Sequence, residues 1–200
     1  AAVSVAAIKG LTTAGVVALG TGQVAGLTTA QVAALTTAQV AALETADMVA
    51  LGSLQARALS AMQVAALTTA QVAAMETVDV AALSTAAIAA LTTAQATALT
   101  TAQVAGLGTA QVTALSTATV SKFGTDDVVA LTTDQVKALT TAQFGAMSST
   151  QVMALTTGQV AALTTAQVGA LSTGVLSKME TADVAALTTA TGGPMPARLV

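Results

Sequence analysis

A large apolar residue returns at every eighth position of the chain from Leu11 onward. It stands at Leu19, Leu27, Leu35, Leu43, Leu51, Leu59, Leu67, Met75 and Leu83, and the register continues without insertion through Phe123, Met147 and Met179 to Leu187. Written from that residue, the consensus unit is Leu-Thr-Thr-Ala-Gln-Val-Ala-Ala, as in Leu27 to Ala34 and Leu67 to Ala74. Val3 opens a degenerate first unit, and Gly192-Gly193-Pro194 ends the pattern. The expected organisation is a degenerate repeat over residues 1–10, a continuous octapeptide array over 11–190, and a tail or linker over 191–200.

Eight residues do not fit one continuous helix. At about 100° per residue, the large apolar position drifts by roughly 80° per unit, and its stripe spirals around the rod. The helix must therefore break or bend once per unit. Thr, Ser or Gly usually follows the large residue, and Gln or Asp lies three positions further on, as in Thr28 with Gln31 and Thr68 with Gln71. This is a capping box: a hydroxyl and a carboxamide satisfy backbone N–H groups at a helix start. The following Ala-Gln-Val-Ala-Ala segment favours helix and puts Val and the next Leu three apart on one face. A helix of about six or seven residues does not hold alone in water. Stacking must stabilise it, each buried Leu or Val contributing about 1.5–3 kcal/mol and each cap about 1 kcal/mol.

These features predict an all-α solenoid or superhelix of short N-capped helices, one per repeat. The alternative is a β-solenoid, since eight is even and equivalent Thr residues would stack in ladders between coils. Abundant Ala disfavours strands, and alternation would send Leu and Val to opposite faces.

A weaker, longer echo links Leu115-Ser116-Thr117-Ala118-Thr119-Val120-Ser121-Lys122-Phe123 with Leu171-Ser172-Thr173-Gly174-Val175-Leu176-Ser177-Lys178-Met179, seven units on. Ser4 and Ser60 hold the equivalent place. Seven units could make one superhelical turn and give a regular contact along an assembly; segmental gene duplication is the preferred reading.

Composition narrows the function classes. Hydrophobic residues make up 54% of the 200 residues, aromatics 1% and charged residues 8%, so the apolar volume must come from many small side chains packed closely. The net charge is −3, and the six basic residues, Lys9, Arg57, Lys122, Lys137, Lys178 and Arg198, are scattered. No patch is expected to neutralise a run of phosphates, so nucleic acid is not an expected partner. Cys and His are absent, which removes disulfides, thiol and imidazole chemistry and nearly all zinc sites. Ala1 to Gly10 reads as no signal peptide, so a processed product or part of a longer chain is expected. No apolar run reaches the length of a membrane span, and the chain is expected to be soluble or self-assembling.

The acidic groupings are Glu44 with Asp47, Glu76 with Asp79, Asp126 with Asp127, and Glu180 with Asp183. They are the only candidates for a calcium site, yet one carboxylate pair falls far short of the six to eight oxygens that ion takes. Asp in place of the capping Gln, with Glu beside a helix N-terminus, is the preferred reading. Carboxylate catalysis needs two environments that push the pKa values apart, and nothing distinguishes one pair from another. Ser and Thr are plentiful but have no positioned base, and Gly20, Gly22 and Gly26 form no phosphate loop. No catalytic residue, cofactor or enzyme activity is expected. Regular Thr arrays would suit ice binding only on a flat face, which helical winding disfavours; exposed Thr could also carry O-linked sugars.

Units such as Leu67-Thr68-Thr69-Ala70-Gln71-Val72-Ala73-Ala74 resemble the octapeptide arrays of large bacterial secreted or cell-surface proteins, some of them adhesins or calcium-binding exoproteins. The likeness covers nearly the whole chain. It implies an extracellular structural role: a rod, or a filament or surface layer built by self-association, with an adhesion or ligand-binding segment that meets other surface proteins or glycans as the alternative. A shorter likeness is to the helix start of TAL-effector repeats; their second helix and base-reading loop have no counterpart, and DNA recognition is not implied.

Overall fold

A computed structural model describes residues 4–190 of the chain, and among the described residues every regular element is a helix. The fold divides between Leu107 and Gly108 into two compact units. The first holds α1 (Val5–Lys9), α2 (Thr13–Val17), α3 (Thr21–Ala25), α4 (Thr29–Ala34), α5 (Thr37–Ala42), α6 (Thr45–Ala50), α7 (Ser53–Ala58), α8 (Ala61–Ala65), α9 (Thr69–Ala74), α10 (Thr77–Ala82), α11 (Thr85–Ala89), α12 (Thr93–Thr97) and α13 (Thr101–Gly106). The second holds α14 (Thr109–Ala114), α15 (Thr117–Val120), α16 (Thr125–Ala130), α17 (Thr133–Ala138), α18 (Thr141–Gly145), α19 (Ser149–Met153), α20 (Thr157–Ala161), α21 (Thr165–Ala170), α22 (Thr173–Leu176) and α23 (Thr181–Ala190). The β-solenoid alternative is thereby set aside. The opening residues 1–3 and the tail expected over 191–200 lie outside the described residues.

The break between helices is two residues of extended backbone. Leu35 ends α4 at φ −58°, ψ 138°, and Thr36 begins α5 as its N-cap at φ −72°, ψ 160°. Neither needs a left-handed conformation, so an ordinary β-branched or γ-branched residue can make the turn. The first hydroxyl of the unit then caps. Thr36 Oγ1 accepts from Gln39 N–H at 3.2 Å, and Gln39 Oε1 accepts from Thr36 N–H at 2.8 Å. The reciprocal pair recurs at Thr68 with Gln71, Thr100 with Gln103 and Thr140 with Gln143.

From α4 to α21 the units bury the apolar residue in the middle of the helix and the large residue that ends it, whereas Leu11, Leu19 and Leu27 before them and Met179 after them are half-buried. Val40 is fully buried and Leu43 is 5% exposed, and the pattern holds across these units with Met48, Ile88, Phe123, Phe144 and Met147 as variants. Within the first unit α1 packs on α4, α2 on α5, α3 on α6 and α7 on α10; within the second, α14 packs on α17, α15 on α18 and α18 on α21. Each compact unit is therefore a helical solenoid whose coil closes after between three and four repeats. Seven repeats span two coils, not the one superhelical turn allowed by the sequence echo. That echo has a local counterpart, since α15 and α22 are both four-residue helices ending at a Ser, Ser121 and Ser177.

Candidate functional site

The most regular polar feature of the fold is the Gln three residues after each cap. Its side chain is buried, at 2% exposure for Gln39, Gln71, Gln95, Gln103 and Gln143. A carboxamide has more hydrogen-bonding capacity than a cap uses, and a buried N–H left unpaired is costly. The Nε2 group is used across the coil. From Gln71 it donates to Val40 O at 2.9 Å and to Leu43 O at 2.6 Å, residues 31 and 28 positions earlier.

The same two bonds recur from Gln39, Gln55, Gln63, Gln95 and Gln103 in the first unit. They recur from Gln143, Gln151, Gln159 and Gln167 in the second. One side chain thus holds its own helix start by Oε1 and the end of a helix four repeats earlier by Nε2. Of the carbonyls it meets, one lies in the last turn of a helix, where Val40 O already accepts from Leu43 N–H and keeps a second lone pair. The other belongs to the extended residue that ends the helix. Only one orientation of the amide serves both ends, because the cap needs an acceptor and the carbonyls need a donor. Sequence reasoning found the capping half and missed the clamp.

Four units place Asp where this Gln stands, and they include the residues considered for calcium. In α6, Asp47 Oδ2 accepts from Glu44 N–H at 3.0 Å, so Asp47 caps but has no amide to send across the coil. In α16, Asp127 Oδ2 accepts from Gly124 N–H at 3.0 Å, beside Asp126 in the same first turn. Burial raises the Asp127 carboxyl pKa; the Gly124 bond opposes this, and the Asp126 charge adds to it. At α23, Asp183 N–H donates to Glu180 O at 3.0 Å, with Asp183 in the first turn. Asp79 differs from the others. Its Oδ1 accepts from Ser53 Oγ at 2.8 Å, its Oδ2 has no partner, and it forms no capping box with Glu76.

Each acidic pair lies within one helix start, and among the described residues no three His, Cys, Asp or Glu side chains gather as a group able to hold a metal ion. The grooves between coils are shallow. One is lined by Ala25, Leu27, Thr28, Ser53 and Leu54, another by Thr133, Asp134, Lys137, Leu163 and Thr164. Among the described residues no helix is long and apolar enough to cross a membrane.

One short capped helix per octapeptide, repeated with the same coil-to-coil contacts, defines a helical tandem-repeat protein. Models of the ALTTAQ repeat match residues 1–29, 18–44, 40–77, 72–109, 104–141 and 140–173, and the chain belongs to that repeat family. Comparison with curated proteins and with solved structures gives no match.

Proposed function

We propose that this chain is a non-catalytic structural element of an extracellular or bacterial cell-surface protein, a repeat scaffold that self-associates into a rod, filament or surface layer. The observation that carries this reading is how the polar and aromatic groups are used. The Gln amides are committed to the clamp, many of the first Thr hydroxyls to caps, and the two Phe side chains, Phe123 and Phe144, are buried at 4% and 2% exposure. Binding sites for proteins and glycans are usually built on aromatic and Arg anchors; the aromatic side chains are withheld from the surface here, and Arg57 is the one exposed Arg among the described residues. What the surface offers is small side chains and hydroxyls, with Leu54, Met62 and Val78 standing out at 74%, 73% and 60% exposure.

Exposed apolar side chains of this size favour contact with another surface, and a second copy is the partner this reading assigns. The same three residues are the observation that favours the adhesion alternative, in which they meet a different surface protein.

Electron microscopy of the dilute purified chain, with light scattering for its mass, tests the reading. Ordered filaments or sheets are expected. A monodisperse monomer that stays so on concentration removes self-assembly and leaves a spacer or an adhesive segment. Protease accessibility on intact cells tests the surface location separately.

A further inference from the structure

Among the described residues, one buried side-chain oxygen lacks a hydrogen-bond partner, and it belongs to Asp79. The residue is 1% exposed. It occupies the clamp position of α10, and the register of the coil defines what the position faces. Everywhere in the first unit that the clamp forms with described partners, it joins residues 31 and 28 positions back, as Gln71 joins Val40 and Leu43 and Gln103 joins Val72 and Met75. Counted from Asp79, those places are held by Met48 and Leu51.

The backbone there is also unlike its neighbours. Leu43 N–H donates to Val40 O and Leu59 N–H to Ala56 O, but Leu51 N–H donates to Asp47 O at 3.0 Å, leaving out Met48 O. An ionised carboxylate only accepts hydrogen bonds. Set opposite two carbonyl oxygens, away from water, it would oppose acceptor to acceptor at a substantial desolvation cost. Its other oxygen is already served by Ser53 Oγ.

We propose that Asp79 carries a proton on Oδ2, and that this O–H donates across the coil to the carbonyl pair of Met48 and Leu51, where other repeats use an amide. The neutral acid replaces the Gln donor, and the joint between α10 and the end of α6 becomes an acid-held latch in a fold otherwise held by amides. The charged groups on the elements around it are Glu76 beside Asp79, Glu44 and Asp47 at the start of α6, and Arg57 at the end of α7; α13 carries none.

Burial is the largest influence and raises the Asp79 carboxyl pKa; the Ser53 bond lowers it, and the Glu76 charge raises it. The folded chain therefore holds this proton more tightly than the unfolded chain does. The latch contributes in full below the ordinary carboxyl range, and its contribution is lost as pH rises through the raised folded-state value.

The test compares the full-length chain with Asp79→Gln by thermal unfolding from acid to neutral pH, together with a carboxyl-carbon NMR titration of the wild type. The proposal expects Asp79 to titrate above the other Asp residues. It expects the wild type to lose midpoint temperature, relative to D79Q, as pH rises through that titration. D79Q restores the consensus amide and should be the more stable protein at neutral pH. An Asp79 carboxyl that titrates in the ordinary Asp range overturns the proposal, and this readout holds even if D79Q folds poorly. A rise in wild-type stability at neutral pH on adding calcium chloride, absent from D79Q, also overturns it, because the carboxylate would then be serving a cation.

Discussion

The amide of Gln71 donates to the carbonyl of Leu43 at 2.6 Å across 28 residues, while its Oε1 accepts from Thr68 N–H at 2.7 Å. Truncation in Gln71→Ala removes the cap acceptor, takes the donor from Leu43 O in a site with little water, and leaves Val40 O with only its Leu43 N–H bond. Each buried group left unpaired costs about 1–3 kcal/mol, so Q71A is expected to destabilise the first unit by more than loss of the Thr68 hydroxyl alone. Thr68→Ala, which removes one capping acceptor, should cost about 1 kcal/mol. Urea unfolding of both variants followed by circular dichroism checks the order. Equal losses would reduce the clamp to a cap.

Close approach of α13 to α10 is fixed at one glycine. A Cβ added to Gly106 would lie 2.5 Å from Thr77 Cγ2, closer than real contacts allow. Gly106→Ala should therefore destabilise, by about 1–3 kcal/mol for an overpacked contact, although Ala is the better helix former. Thr77→Ser removes the methyl and keeps the hydroxyl, so the double variant should recover most of the loss. A double-mutant cycle measured by unfolding gives the coupling; additive effects would mean that the methyl is not the obstacle.

The helix starts were legible because capping is local. Thr68 and Gln71 are three residues apart, and chain geometry at that distance fixes what they can do. Burial of Val and Leu followed from the same eight-residue register. The clamp was not legible locally, since Gln71 and Leu43 are 28 residues apart and no short pattern specifies that contact. A signal was present nevertheless. A cap acceptor can be a carboxylate as easily as an amide, yet Gln dominates this position and Glu never occupies it, which points to a need for a donor as well. The seven-unit echo was visible, but its relation to the coil needed the three-to-four repeat spacing that contacts such as α7 on α10 reveal. Asp47 and Asp79 look alike in sequence; only the fold shows that one caps its helix and the other turns to Ser53.

In the second unit, the raised Asp127 pKa depends in part on the charge of Asp126. Asp126→Asn removes that repulsion while leaving the Gly124 bond in place, so the Asp127 carboxyl should titrate lower than in the wild type. Because the folded pKa is raised, this group makes the fold less stable as pH rises from the ordinary carboxyl range through the folded value. D126N should shrink that decline. Carboxyl NMR titration, read with unfolding curves at acid and neutral pH, checks both shifts, and an unmoved Asp127 would rule out the electrostatic coupling.

Because equivalent repeats make equivalent contacts, the first unit should accept removal of one whole repeat. Deleting Leu67 to Ala74 leaves Met75 still 28 positions before Gln103 and brings Val64 to 31 positions before it. Both clamp acceptors therefore keep the types used elsewhere in the array. Gln95 likewise meets Leu59 and Ala56 at the two required distances. Nearest-neighbour stability in stacked repeats predicts a cooperative fold with a modest loss that reflects the removed contacts. Deleting only Leu67 to Ala70 has the opposite effect on register: Gln95 would face Gln63 and Ser60. Its amide would then point at a helix start, where carbonyls are already committed to the helix, and the large apolar stripe would slip by half a unit. Circular dichroism and urea unfolding of the two deletions should show a cooperative transition in the eight-residue case and a broadened or missing one in the four-residue case. Equal tolerance of both would mean that the amide register does not organise the coil.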